Sequence, residues 1–407
     1  MLKRLFIGTC CAALIIGLVP GFVSADPDEA GLQKQITELR GKLEELEKKL
    51  NDSKKAQETA PAVTPAAKGS KIKIDGRIFA GVFDTGAEGA YANSSVDISD
   101  AKIRFTFNPT KNITVVNRFS TTGAKTDGFD YFYADFAGVL SPTSIIRVGQ
   151  RKIDTGQETW VDNPIENMLV TNSVSHVSGY GTGIALLGRF QDVKTSPLYE
   201  IGFVNGPKGL MVRPTNALPI NIKLGAPLPG NIFASASYFR SGDIGAADKS
   251  AISVAEIADY PAATEWNRSL WEVDLRYNYG ASGIRSLVPT GDLPPVMLGA
   301  TYGGFNDDAV GAADRDGQFW FVEGLFRLNS RTYAAARYSS VDLDDGVLAK
   351  LGKSPVSVNS YRRTSIGLGY ALTDLTHVKA EYAFNRTSGG ASDPDLNQLA
   401  IGVASKF

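Results

Sequence analysis

Basic side chains recur at intervals of two along this chain, a spacing that puts charge on one face of a strand. Lys71, Lys73 and Arg77 come first, then Lys102 and Arg104, then Arg118, Arg147 and Arg151. Side chains two apart on a strand share a face, so these cations line one surface of a sheet. Arg276, Arg327, Arg337, Arg363 and Lys379 extend the set. Carboxylates of the same parity are fewer: Asp75, Asp135, Glu272, Asp274, Glu323 and Glu381. Excess positive charge on a low-dielectric wall concentrates anions beside it. Pairing would cancel part of that effect, and Asp75 lies two positions from both Lys73 and Arg77.

A second constellation lies in the strand-poor stretch 152–180, where Asp154, Glu158, Asp162 and Glu166 are spaced by four. On a helix they would share one face. Set opposite Arg77, Arg104, Arg118 and Arg147, that face would create a transverse field that orders dipolar solutes. The alternative is an acidic loop facing solvent. A row of carboxylates does not converge as a metal site requires, so no metal is expected. Only His176 and His377 are present, and both cysteines, Cys10 and Cys11, lie near the start. That leaves no zinc set and no thiolate chemistry, and nothing asks for a cofactor. Ser365 and His377 are a conceivable hydrolase pair, but chance accounts for them better, and no enzyme is expected. Gly179, Gly181 and Gly183 alternate before a strand and suit close approach by a folded-in loop.

The elements that must hold these residues are strands. From Lys71 onward the hydrophobic period is two, and about sixteen alternating segments follow. The early ones are 71–84, 102–108, 113–120, 129–138 and 144–151. Others begin near Gly183, Leu198, Pro219, Ile232, Leu270 and Val296, and the last five near Gln318, Thr332, Tyr361, Thr376 and Leu396. The apolar parity is Ile72, Ile74, Ile78, Ala80 and Val82 in the first segment and Trp320, Val322, Phe326 and Leu328 in the twelfth. Links alternate in kind. Tight turns fall at 108–112, 141–144, 328–331 and 373–375, and long links at 205–218, 241–265 and 341–360; the long link 280–295 breaks the alternation. Short turns on one rim and long loops on the other are the layout of an outer-membrane barrel. The last strand alternates and ends on Phe407, as the closing strand read by the barrel-assembly machinery does. The fold class is therefore all-β, a transmembrane antiparallel β-barrel of about sixteen strands over 71–407.

The first 70 residues differ. Lys3 and Arg4, an apolar run from Leu5 to Val19, and Val23-Ser24-Ala25 read as a signal peptide over 1–25. Leu32, Ile36, Leu39, Leu43, Leu46 and Leu50 then follow a 4, 3, 4, 3, 4 spacing, the core of a short helical coiled coil over 26–58. An amphipathic helix lying on its own barrel is the alternative. Residues 59–70 are rich in Ala and Pro and read as a tether. Near-zero net charge gives no reason to expect nucleic acid.

The combination resembles the trimeric sixteen-stranded porins of Gram-negative outer membranes that carry an N-terminal periplasmic coiled coil, such as the phosphate-selective and DcaP-like dicarboxylate porins. Its local points are Arg147-Val148-Gly149-Gln150 closing the fifth strand, the long segment after it, and Phe407. The lysine- and arginine-rich signature of the phosphate channels is not matched, so their solute does not transfer. The resemblance implies a homotrimer in outer-membrane lipid, one pore per subunit, and a third external loop folded into each pore. The expected function is passive diffusion of small hydrophilic solutes, anionic or neutral. The rival is a structural or adhesive outer-membrane protein whose barrel only anchors the coiled coil or the external loops.

Overall fold

The computed structural model describes Gly41 and residues 72–407 except 87–88, 92–93, 122–128, 206–218, 246–249, 255–256, 258–264, 286, 288–292, 350–355 and 390–395. The expected signal peptide, heptad core and tether, and Lys71, lie outside the described residues.

Sixteen long strands carry the period-two pattern. They are β1 (Ile72–Thr85), β2 (Ser95–Thr110), β3 (Ile113–Ser120), β4 (Phe129–Ala137), β5 (Ser144–Lys152) and β6 (Val177–Arg189). Next come β7 (Leu198–Asn205), β8 (Ile220–Leu228), β9 (Ile232–Arg240), β10 (Glu265–Tyr277) and β11 (Val296–Val310). The last are β12 (Arg315–Arg327), β13 (Thr332–Ala349), β14 (Val356–Ala371), β15 (Thr376–Ser388) and β16 (Gln398–Lys406). Each strand bonds antiparallel to the next. β16 returns to β1 from Arg77↔Lys406 to Thr85↔Gln398, so the sheet closes and no edge remains. Two short ladders belong to the link after β9: Ile244–Gly245 pairs with β10, and Ile252–Val254 pairs with the start of β6.

Exposure is inverted relative to a soluble sheet. Ile74 is 58% exposed and Phe326 56%, whereas Arg151 is fully buried and Glu323 is 7% exposed. The apolar parity therefore faces outward and the charged parity faces the lumen. A charge on the outer face at mid-membrane would cost about 2–4 kcal/mol, which fixes each strand against a one-residue slip.

Several strands are longer than their alternation implies. β2 begins at Ser95 rather than Lys102, and the expected long link 341–360 is mostly the hairpin made by the ends of β13 and β14. These extensions carry polar residues such as Asp97, Asp100, Asp342 and Ser360. Neither face of a strand needs to be apolar beyond the apolar band, so the pattern fades there. The link 278–295 is long on the short-turn rim, and 311–314 is short on the long-loop rim.

The closing seam depends on two glycines. Gly81 on β1 stands opposite Gly402 on β16, and a Cβ built on Gly81 falls 2.6 Å from the Ile401 carbonyl oxygen. The Phe79 ring lies across Gly402. At the strand's end Gly76 exchanges two backbone hydrogen bonds with Phe407, at 3.0 and 3.1 Å. Gly81→Val should therefore lower the temperature at which the barrel loses its heat-resistant gel mobility, by overpacking of about 1–3 kcal/mol. Ala80→Val, on the outward parity, is the control. Equal behaviour of the two variants would show that seam packing is not limiting.

Candidate functional site

The chain leaves β5 inward at Ile153, crosses the lumen, and returns at Val177. Only Glu158–Val161 forms a helical turn, of the 3-10 kind. The rest is irregular, so its polar groups must find partners on the wall. Lys379 donates to the carbonyls of Pro164 and Asn167, Arg363 to that of Asn172, and Tyr333 to that of Met168. Arg337 reaches the Thr171 carbonyl at 2.9 Å and Asn167 Oδ1 at 2.8 Å. Glu381 accepts from the backbone amides of Val170 (2.5 Å) and Thr171 (2.7 Å) and from the Thr171 hydroxyl. Apolar contacts complete the seat. Ile165 and Val170 pack on Phe79, Phe83, Ala400 and Ala404, while Met168 and Leu169 pack among Met297, Leu325, Tyr333 and Ala335.

The four loop carboxylates do not share one face, which corrects the expectation of a helical row. With no helix beyond one turn, a spacing of four carries no common direction. Asp154 meets Lys223 of β8 at 2.5 Å, Glu158 meets Arg337 of β13 at 3.5 Å, and Asp162 meets Lys152 at 2.6 Å. Glu166 meets Lys406 of β16 at 3.0 Å and Arg77 of β1 at 3.6 Å. Together they tie the loop to four places around the barrel. Among the described residues, Arg77 is the one of the arginines expected across from them that forms an ion pair with this row. Burial alone would raise the Glu158 carboxyl, but Arg337, His176 and Ser173 outweigh it and hold it far below the usual range. Asp162 is lowered in the same way, against burial, by Lys152 and His176, and Glu166 by Lys406 and Arg77.

All six cations expected on the wall of β1–β5 point into the lumen, and each has an acidic partner. Arg77 forms an ion pair with Asp100 at 2.6 Å, Lys102 with Asp130 at 2.8 Å, and Arg104 with Asp75 at 2.8 Å. Arg118 forms an ion pair with Asp130 at 3.0 Å and lies over the Tyr131 ring. Arg147 grips Asp135 with two hydrogen bonds over Tyr133, and Arg151 is buried against Glu200 and Asn221. Parity counting had omitted three of these carboxylates. Asp130 is buried although its neighbour Tyr131 shares the inward parity; the β3–β4 register shifts beside it, and such a bulge turns consecutive side chains inward. Asp100 lies in the polar start of β2. Glu200 shares its parity with Leu198 and Gly202, so no charge pattern marks it.

A cavity of about 280 Å³ remains between the loop and β1–β4. Six cations line it: Lys73, Arg77, Lys102, Arg104, Arg118 and Lys406. Asp75 and Glu166 share the lining, with Asp100 and Asp130 bonded behind. Counting side chains alone, the balance is positive by two charges. On the β9–β13 side the lumen is packed with apolar groups, among them Phe239, Leu270, Phe305 and Phe319, against Ile252 and Val254 of the inward ladder. The glycine series lies within β6: a Cβ on Gly179 would fall on the Ala251 carbonyl beside the inward ladder and one on Gly183 on the Phe203 carbonyl of β7, while the Gly179 carbonyl accepts from the amide of Ile153 where the loop begins.

Other expected chemistry does not assemble. Ser365 stands opposite Ala383 and His377 opposite Ala371, six positions along β15, or about 20 Å. His176 lies between Glu158 and Asp162, at 3.6 and 3.9 Å, as part of the loop's ionic framework. Among the described residues no His, Asp and Glu group is placed to hold a metal.

Solved structures share this architecture. The outer-membrane channel DcaP of Acinetobacter baumannii matches with a TM-score of 0.55 and 12% identity, over 84% of this chain and 99% of that one. An anion-selective porin of Comamonas acidovorans matches with a TM-score of 0.54 and 11% identity, over 83% and 100%. OmpT, an outer membrane protein of Vibrio cholerae, gives 0.57 and 13% in a loop-deleted form, over 83% and 100%. This chain has the porin fold. No protein-family model matches it, and no curated protein matches its sequence.

Glu381→Ala should release the tip of the folded-in loop, since the backbone amides of Val170 and Thr171 lose their acceptor, the buried one of Val170 at about 1–3 kcal/mol. Hydrogen exchange at Val170 and Thr171 should quicken while the amides of β15 keep their protection. Unchanged exchange at both positions would mean that the wall contacts of Lys379 and Arg337 suffice.

Proposed function

We propose that the chain is a porin, a passive channel for small hydrophilic solutes across the outer membrane of a Gram-negative bacterium. The observation that carries this reading is the closed barrel with an apolar outer face, a charged lumen, and a loop seated across it beside a charged cavity. The positive balance of that cavity favours anions, and small organic anions such as dicarboxylates, or phosphate, are the proposed solutes. The anion-selective porin of Comamonas acidovorans has the same fold, which agrees with this lean. No catalytic role is proposed, because Ser365 and His377 are far apart.

The proposed assembly is a homotrimer, with residues 1–25 removed on export and the coiled coil of 26–58 on the periplasmic side of the tether. OmpT of Vibrio cholerae is known in a trimer form. The rival reading, a barrel that serves as an anchor, draws on the apolar filling of the β9–β13 side. Single-channel recording separates the two: a porin passes stepwise current, and an anchor passes none.

Neutralising Arg104, Arg118 and Arg147 together to Gln should shift the zero-current potential in a salt gradient toward cation preference, since Asp75, Asp130 and Asp135 each lose a partner. The shift should shrink near 1 M salt, where screening reaches only about 3 Å. A cation-selective wild type, or an unmoved potential, would place the solute route elsewhere. Deleting residues 26–70 behind an intact export signal should leave single-channel conductance nearly unchanged and lower the heat resistance of the trimer modestly. Loss of current from correctly folded deletion protein would instead assign that segment to the pore.

A further inference from the structure

We infer that the described residues of the link between β10 and β11, 278–285, 287 and 293–295, on the short-turn rim, form a second constriction element that enters the lumen and supports the folded-in loop from below. This rests on the channel reading proposed above. A turn on this rim needs only a few residues, as at 111–112 and 328–331, yet this link runs from 278 to 295.

Tyr279, Gly283, Leu287 and Leu293 of the link are buried, while Gly280, Ile284 and Pro295 are exposed. Tyr279 is 3% exposed and its hydroxyl donates to Glu323 Oε1 at 2.8 Å. That carboxylate also holds Arg276 and Arg337. Leu287 and Leu293 are buried in one cluster with Met168 and Leu169 of the folded-in loop. At the other end of the loop, Gln157 donates to the Gly283 carbonyl at 3.1 Å once its amide is oriented to satisfy both neighbours. Gly283 has a φ of +67° and lies so close to Phe233 that a Cβ would fall 2.4 Å from the ring. Only glycine fits this approach.

The link thus touches the loop near its start and again near its tip. Ser282 and Ile284 help wall a cavity of about 350 Å³ beneath Asp154 and Gln157, on the β5–β8 side. The consequence is an eccentric route. The link narrows the space under the start of the loop to that cavity, and the basic cavity beside β1–β4 stays clear of it.

The test compares wild type with Leu287→Lys/Leu293→Lys in planar bilayers and in liposome swelling with sugars of graded size. Lysine at these two sites expels the link from its apolar seat. Conductance should rise about twofold and larger sugars should enter, because the limiting cross-section widens. A folded, heat-modifiable double variant with wild-type conductance and size limit overturns the inference. Should the double variant not fold, Leu287→Ser loosens one anchor only. It should raise open-channel current noise, and noise equal to wild type overturns the inference. If wild type passes no current, the channel reading fails first and this inference falls with it.

Discussion

Backbone hydrogen bonding in lipid governs the rest of this structure. Hydrocarbon offers no partner to an exposed N–H or carbonyl, so a membrane-spanning sheet must leave no open edge. β1 meets the requirement by bonding β2 on one side and β16 on the other, across more than three hundred residues of intervening chain. The small pair Gly81 and Gly402 lets the two backbones approach at the seam. Once the sheet is closed, each strand has one face in lipid and one in the lumen. All the charge carried by the alternating strands is then forced into one enclosed space.

That enclosure explains why ion pairs are so dense. A charge removed from water without a partner is costly, whereas a pair with good geometry recovers most of the loss. Arg268, fully buried, is held by two hydrogen bonds to Asp307, which also binds Arg315. Arg276, Arg337 and Tyr279 converge on Glu323. The folded-in loop enters the same economy of charge. Its carboxylates engage Lys223, Arg337, Lys152 and Lys406 on separate strands, so the loop is fixed by the wall it crosses. Such pairs specify a position because breaking one strands a buried charge; they are not a large net source of stability.

The same pairing sets the electrostatics of the open space. Cations that bind the loop or neighbouring aspartates contribute little free charge. The surplus is left near β1–β4, where Lys73 and Arg104, the more exposed cations, share the single carboxylate of Asp75. The opposite half is filled by aromatic and aliphatic side chains on the inward parity of β9–β13, including Phe233, Phe319, Phe321 and Leu325, packed beside the buried ion pairs of Arg268, Arg276 and Arg337. The barrel is therefore asymmetric, with a basic cavity beside β1–β4 and, around β9–β13, a packed mixture of apolar side chains and fully paired charges.

The sequence by itself determined the all-β class, the sixteen strands and the side of each strand that meets lipid. A period of two is local, and a charge in lipid is too expensive to permit a slip. It also placed the cations of β1–β5 on one wall and marked 152–180 and 280–295 as unusual links. Only the tertiary structure decided who pairs with whom. Asp130 was hidden by a bulge, which breaks parity at one residue, and Asp100 and Glu200 carried no pattern of their own. The spacing of Asp154, Glu158, Asp162 and Glu166 implied a helix face, but the local fold is one 3-10 turn followed by irregular chain. Their directions come from Lys223, Arg337, Lys152 and Lys406, which are distant in sequence and brought near only by closure. Sequence spacing reports contacts along a strand or helix, whereas contacts across a lumen depend on the curvature of the whole barrel.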